Sequence, residues 1–110
     1  MNENQIIKKY LNSQIDCINK IENSKEKLNK IFTVLLKARE QKRRIFVMGN
    51  GGSASTATHF VSDLLKTSLV KKRNGFKAFS LSDNIPVVLA WANDTAYDKI
   101  FTGQLENMLD

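Results

Sequence analysis

The chain has one cysteine, one proline and one histidine among its 110 residues, and no long apolar run. A single cysteine, Cys17, excludes an internal disulfide. Its place on a helical pattern reads as a small packing residue. No apolar stretch approaches the roughly 18 residues that a membrane-spanning helix needs. The start, Met1 to Lys9, lacks the apolar core of a signal peptide. These absences point to the cytoplasm. With His59 as the one histidine and Cys17 as the one cysteine, no four-ligand zinc site of the usual kind can be built from this chain alone. There is also no internal repeat, low-complexity tract or linker.

What is present suits one small domain with its own core. The chain is 42% hydrophobic and 25% charged, which is ordinary for a globular protein. Ile7, Leu11, Ile15, Ile18 and Ile21 recur in steps of three and four, so residues 4 to about 22 form a helix with one apolar stripe. Asn23-Ser24 breaks the pattern, and Ser24 is the expected N-cap of a second helix, with Glu26 in its first turn. That helix carries Leu28, Ile31, Phe32, Leu35 and Leu36. It ends in Lys37, Arg39, Lys42 and Arg43, which suit the negative end of a helix dipole.

Arg44 to Met48 reads as a buried strand, followed by a helix from about Ser53 to Lys66. A basic loop, Lys71 to Gly75, leads to a second strand, Phe76 to Leu81. Asp83-Asn84-Ile85-Pro86 starts another helix, with Pro86 in its first turn. Asn93-Asp94-Thr95 reads as a break and a new cap, and Tyr97 to Leu109 as a last helix. The fold class is therefore α/β: two N-terminal helices, residues 1–43, and then a βαβα unit, residues 44–110, with a parallel sheet. Two strands cannot cover both faces of such a sheet and bury its edges. The expectation is the N-terminal half of a larger, truncated domain.

The junction of the first strand and its helix carries the chemistry. Gly49-Asn50-Gly51-Gly52 separates the apolar strand from Ser53-Ala54-Ser55-Thr56. Bare backbone N–H groups at a helix N-terminus form a phosphate-binding geometry. Gly51 and Gly52 can take positive φ and admit a ligand close to the backbone. The hydroxyls can cap the helix or bond a phosphate oxygen. Neither the Walker A pattern nor G-x-G-x-x-G is present, and a plain strand-to-helix turn would use the same glycines.

His59 and Asp63 lie four residues apart and so share a helix face. Such a pair is half of a metal site, or an ordinary pair in which the carboxylate holds the histidine tautomer.

Gly49-Asn50-Gly51-Gly52-Ser53-Ala54 with His59-Phe60, then Ser80-Leu81-Ser82-Asp83-Asn84-Ile85-Pro86, Ala90-Trp91-Ala92-Asn93-Asp94 and Ile100-Phe101, resembles the sugar-isomerase (SIS) family in order and spacing. Within it, the phosphoheptose isomerases are the most similar; they convert sedoheptulose 7-phosphate to a heptose 7-phosphate for activated-heptose synthesis. The resemblance spans about Arg44 to Phe101 and implies a flavodoxin-like SIS sheet. It implies that Asn50, Gly51, Gly52 and Ser53 bind the sugar phosphate, with Asn93 and Asp94 also on the substrate. Their plain reading is a helix cap and turn. The resemblance makes His59 a zinc ligand and gives Asp63 the place of a glutamate that is both ligand and proton-transfer base. Asp is one methylene shorter, and a base must reach its proton. The family's remaining zinc donors and its second phosphate loop fall outside this chain, so the fragment alone is expected to be inactive. A homotetramer is also implied. Trp91 and Phe101 read as core residues.

The net charge of +6 concentrates at Lys37–Arg39, Gln41–Arg44 and Lys71–Arg73. No nucleic-acid motif accompanies it, and aromatics are not interleaved with the cations. A basic surface that draws in a phosphorylated sugar explains the charge as well as nucleic acid does, and nucleic acid is disfavoured. The competing reading is a non-catalytic SIS module that binds a sugar phosphate or a protein partner.

Overall fold

The computed structural model describes all 110 residues. They form two compact units, residues 1–36 and 37–110. Helix α1 spans Glu3–Glu22 and helix α2 spans Lys25–Glu40. A capping box starts α1: the Asn2 side chain accepts from the Gln5 N–H, and the Gln5 side chain accepts from the Asn2 N–H. Ser24 precedes α2 and gives it no side-chain cap; only its carbonyl takes part, accepting from Leu28. No residue of α1 is buried. Ile7, Leu11, Ile15, Ile18 and Ile21 stand more than half exposed, and so do Ile31 and Phe32 of α2. Cys17 is exposed too, so it is not the packing residue that its pattern suggested. The apolar stripe on which it borders is exposed as well.

At the exit of α2, Arg43 donates to the Ala38 carbonyl and Lys42 to the Arg39 carbonyl. This is a Schellman-type end, which needs a left-handed residue. Lys42 supplies it with φ 55°, where glycine is the usual choice.

The second unit is built on a two-stranded parallel sheet. Strand β1, Arg44–Val47, pairs with β2, Lys77–Ser80, in the register Arg44 with Lys77 through Val47 with Ser80. Alternation along the strands sends Ile45, Val47 and Ala78 to one face. There they pack with Phe76 against Val61 and Leu64. On the other face Phe46 and Phe79, paired in register, stack with centroids 5.6 Å apart.

Helix α3, Gly52–Ser62, covers the first face; Ala57 and Val61 are its buried residues. The sequence suggested one α-helix from Ser53 to Lys66. Instead, the last turn widens to a π turn, Asp63–Thr67, closed by Ser68 N–H on the Asp63 carbonyl at 2.9 Å. A further correction falls on the C-terminal segment. Helix α4 runs Ile85–Asp94, N-capped by the Asn84 side chain on Val87 N–H at 3.1 Å, so Asn93 and Asp94 close a helix rather than cap a new one. The region Tyr97–Leu109 is not one helix but a 3-10 turn, Tyr97–Lys99, and α5, Thr102–Met108. The amide of buried Gln104 explains the break: it donates to the Ile100 and Leu81 carbonyls at 2.7 and 2.9 Å, tying α5 to the end of β2. Gly103 packs beneath Trp91, where a Cβ would lie 2.3 Å from the indole. No helix is long and apolar enough to cross a membrane.

Candidate functional site

Both strands run the same way, so their C-terminal ends open on one edge, where ligands collect in α/β sheets. At the end of β1 the chain turns through Gly49 to Gly51 into α3. Gly51 is the N-cap residue at φ 55° and ψ −124°, a conformation that demands glycine. Gly49 has ordinary φ but is needed for another reason: a Cβ there would sit 2.4 Å from the Ser53 carbonyl oxygen. Gly52 has neither constraint, with negative φ and open space where a Cβ would stand. The helix start has no side-chain cap, so of the two roles open to its hydroxyls they do not take the capping one. Ser53 and Ala54 N–H groups are turned inward onto the Asn50 and Gly51 carbonyls, both at 3.0 Å. The N–H groups of Asn50, Gly51 and Gly52 make no hydrogen bond within the chain.

The loop is held from β2's side. Ser82 Oγ donates to the Gly49 carbonyl at 2.8 Å and accepts from the Gly49 N–H at 3.3 Å. Next to it, Thr58 Oγ1 on α3 donates to Asp83 Oδ1 at 2.6 Å and lies 3.2 Å from Ser80 Oγ. Two adjoining cavities result. One, of about 190 Å³, is lined by Gly49, Asn50, Gly51, Tyr97 and Phe101 among others. The second, of about 580 Å³, is lined by Ser55, Thr58, His59, Ser62 and Ser82. Ala54, Ser82 and Ile85 line both.

His59 thus stands on the larger cavity, and Asn50 and Gly51 on the smaller. Gly52, Ser53 and Asp63 line neither. Asp63 lies one turn beyond His59, with its Oδ2 3.7 Å from His59 Nε2. That is too long for a hydrogen bond, so the carboxylate does not fix the histidine tautomer here. Its other oxygen, Oδ1, accepts from Thr67 Oγ1 at 3.0 Å across the π turn. Asn93 donates to Asp94 Oδ1 at 2.9 Å, and Asp94 lines a separate cavity with Ala90, Trp91 and Thr95. The structure therefore brings Asn50, Gly51 and His59 to one edge and leaves Asn93 and Asp94 outside both cavities. Trp91 is half-buried against Gly103, a packing role, whereas Phe101 also floors the cavity under the loop.

Imidazole and carboxylate are donor types that suit zinc. Two donors are not a site, however, and no third His, Cys, Asp or Glu joins them. The residues present do not by themselves fit zinc, and no chemical step is routed through a metal.

Sequence reasoning missed Ser82, Thr58 and Thr67 as site residues. Ser82 lies in the second resemblance block, but its tie to Gly49 spans 33 positions and leaves no local signal.

An α/β sheet with a glycine turn and a cleft at its C-terminal edge is an arrangement that can receive an anionic ligand. No family model matches the chain. A phosphoheptose isomerase of Helicobacter pylori is 36% identical over 107 residues, 96% of this chain and 55% of that protein. A phosphoheptose isomerase of Aliarcobacter butzleri is 32% identical over 101 residues, 92% of this chain and 53% of that protein. Among solved structures, phosphoheptose isomerase GmhA from Neisseria gonorrhoeae superposes with a TM-score of 0.79 over 98% of this chain and 55% of that one. Their identity is 18%, so that likeness concerns the fold. The chain is of the SIS, phosphoheptose isomerase type over the stretch it spans. It spans about half the length of the curated relatives it matches.

Proposed function

We propose that this chain is the sugar-phosphate-binding half of a phosphoheptose isomerase, acting on sedoheptulose 7-phosphate. One observation carries the reading: the Gly49–Gly52 turn leaves three backbone N–H groups unspent at the start of α3, beside a cleft that holds His59. The relatives' names supply the substrate class.

In this proposal the Asn50, Gly51 and Gly52 N–H groups and the Ser53 hydroxyl hold the sugar phosphate. Asn93 and Asp94 contact the substrate after some rearrangement of the α4 end. Interconversion of ketose and aldose moves a proton between adjacent carbons through an enediol. Asp63 is the proposed base. Thr67 occupies its Oδ1 and leaves Oδ2 to carry the proton. His59 and Asp63 would be two donors of a zinc whose other ligands lie outside this chain, and the metal would supply Lewis-acid chemistry only in that completed site. The exposed stripes of α1 and α2 are the proposed contacts of a homotetramer, since apolar faces of this kind mark interfaces. The cytoplasm is the proposed location.

The shorter reach of Asp63 favours a second reading, a non-catalytic SIS module that binds the sugar phosphate only. An isomerase assay separates the two. In a full-length protein that carries the remaining half, with sedoheptulose 7-phosphate and added zinc, the first reading expects heptose 7-phosphate, abolished by Asp63→Asn and kept or raised by Asp63→Glu. Binding without turnover in all three proteins supports the module.

A further inference from the structure

The opposite edge of the sheet carries a second cleft that the isomerase reading does not use. It is a cavity of about 350 Å³ lined by Arg39, Glu40, Lys72, Arg73 and Asn74. Arg39 and Glu40 close α2, which leads into the N-terminal end of β1; Lys72 to Asn74 precede the N-terminal end of β2. Because the strands are parallel and in register from Arg44 and Lys77, both approaches meet at one edge. The glycine turn lies past the far ends of the strands, roughly 13 Å away for four residues of strand.

Three features make this cleft more than a solvated face. No carboxylate pairs with Arg39, Lys72 or Arg73; the ion pairs of the chain are Arg44 with Asp110 and the His59–Asp63 pair. Arg39 is half-buried and its guanidinium is held over the Phe76 ring, 5.5 Å from the centroid, which fixes its direction before any ligand arrives. Lys72 sits at φ 66° inside the turn that the Arg73 N–H closes on the Val70 carbonyl at 3.2 Å, and this turn sets Lys72 and Arg73 side by side on the cleft. Glu40 is the one acid on the rim, so the lining has a net charge of +2 from three cations and one carboxylate.

We infer that this cleft binds a small phosphorylated molecule carrying at least two negative charges, at a site separate from the glycine turn. Its concavity and size fit a compact anion rather than an extended polymer. A guanidinium held over an aromatic ring, with one ammonium and one further guanidinium on the same lining, suits phosphate oxygens. The inference does not rest on the isomerase reading.

The test is an amide NMR titration of the 110-residue chain with inorganic pyrophosphate at low and physiological salt. Saturable shifts at Lys72, Arg73, Asn74 and Phe76 are expected, with weaker binding at higher salt. Arg73→Gln should weaken binding roughly tenfold, the effect of one charge-assisted hydrogen bond. Gly51→Ala should leave it unchanged. Shifts confined to residues 49–53, no saturation, or equal affinity in Arg73→Gln each overturn the proposal. So does duplex DNA binding more tightly than pyrophosphate, with shifts spread over the whole basic surface. A parallel titration with ADP distinguishes free from nucleotide-borne diphosphate, and saturable binding of either at this cleft supports the site.

Discussion

The hydroxyl of Ser82 grips both polar groups of Gly49, donating to its carbonyl at 2.8 Å and accepting from its N–H at 3.3 Å. One side chain after β2 thereby fixes the entry of the glycine turn after β1. Ser82→Ala is expected to lower stability by about 1 kcal/mol, the net worth of such a bond. It should also broaden the amide signals of residues 49–53. Urea denaturation and amide NMR spectra check both, and a variant with unchanged stability and sharp loop signals would show that the tie is idle.

The glycines of the turn are not equivalent. Gly49→Ala forces a Cβ to 2.4 Å from the Ser53 carbonyl oxygen and should cost about 1–3 kcal/mol. Gly51→Ala asks alanine to adopt φ 55° and ψ −124°, at a similar cost of about 1–3 kcal/mol. Gly52→Ala meets open space and should be tolerated. Denaturation midpoints should therefore rank Gly52→Ala above the other two.

Lys42 offers a gain. It holds the left-handed end of α2 at φ 55°. Lys42→Gly relieves that strain and should stabilise the chain by about 1 kcal/mol. Calorimetric melting tests it; a lower melting temperature would mean that the lysine side chain contributes more than its backbone costs.

Arg44 beside Asp110 holds the Asp110 carboxyl below its ordinary value of 3.8, first through a hydrogen bond and then through charge, with Arg43 adding to it. A depressed folded value means stabilisation present above the unfolded value and lost as pH falls through the folded one. The pair is exposed, so the effect on stability is small. Carbon-detected titration of Asp110 should show its midpoint move upward in Arg44→Gln.

Much of this was legible in the chain. Ile45, Phe46 and Val47 announced β1, and the glycines announced the sharp turn into α3. The two resemblance blocks pointed to the phosphoheptose isomerases. Other features depended on contacts distant in sequence. The π turn at Asp63 carries no helix-breaking residue, and only the Thr67 hydroxyl on Asp63 and the Ser68 N–H reveal it. The break before α5 arises from Gln104 reaching back to Leu81, 23 positions away. Apolar periodicity alone read that region as one helix. The Asn2–Gln5 capping box was visible in principle, since Asn followed three residues later by Gln is its signature.

The central claim is that the turn at Asn50–Gly52 anchors the phosphate of a sugar. Titrating the chain with sedoheptulose 7-phosphate while following backbone amides addresses it most directly. The account predicts saturable shifts of the Asn50, Gly51 and Gly52 amides and of the His59 ring, all lost together in Gly51→Ala that remains folded. Saturable binding with these amides unmoved, or no binding at millimolar sugar phosphate, would contradict it.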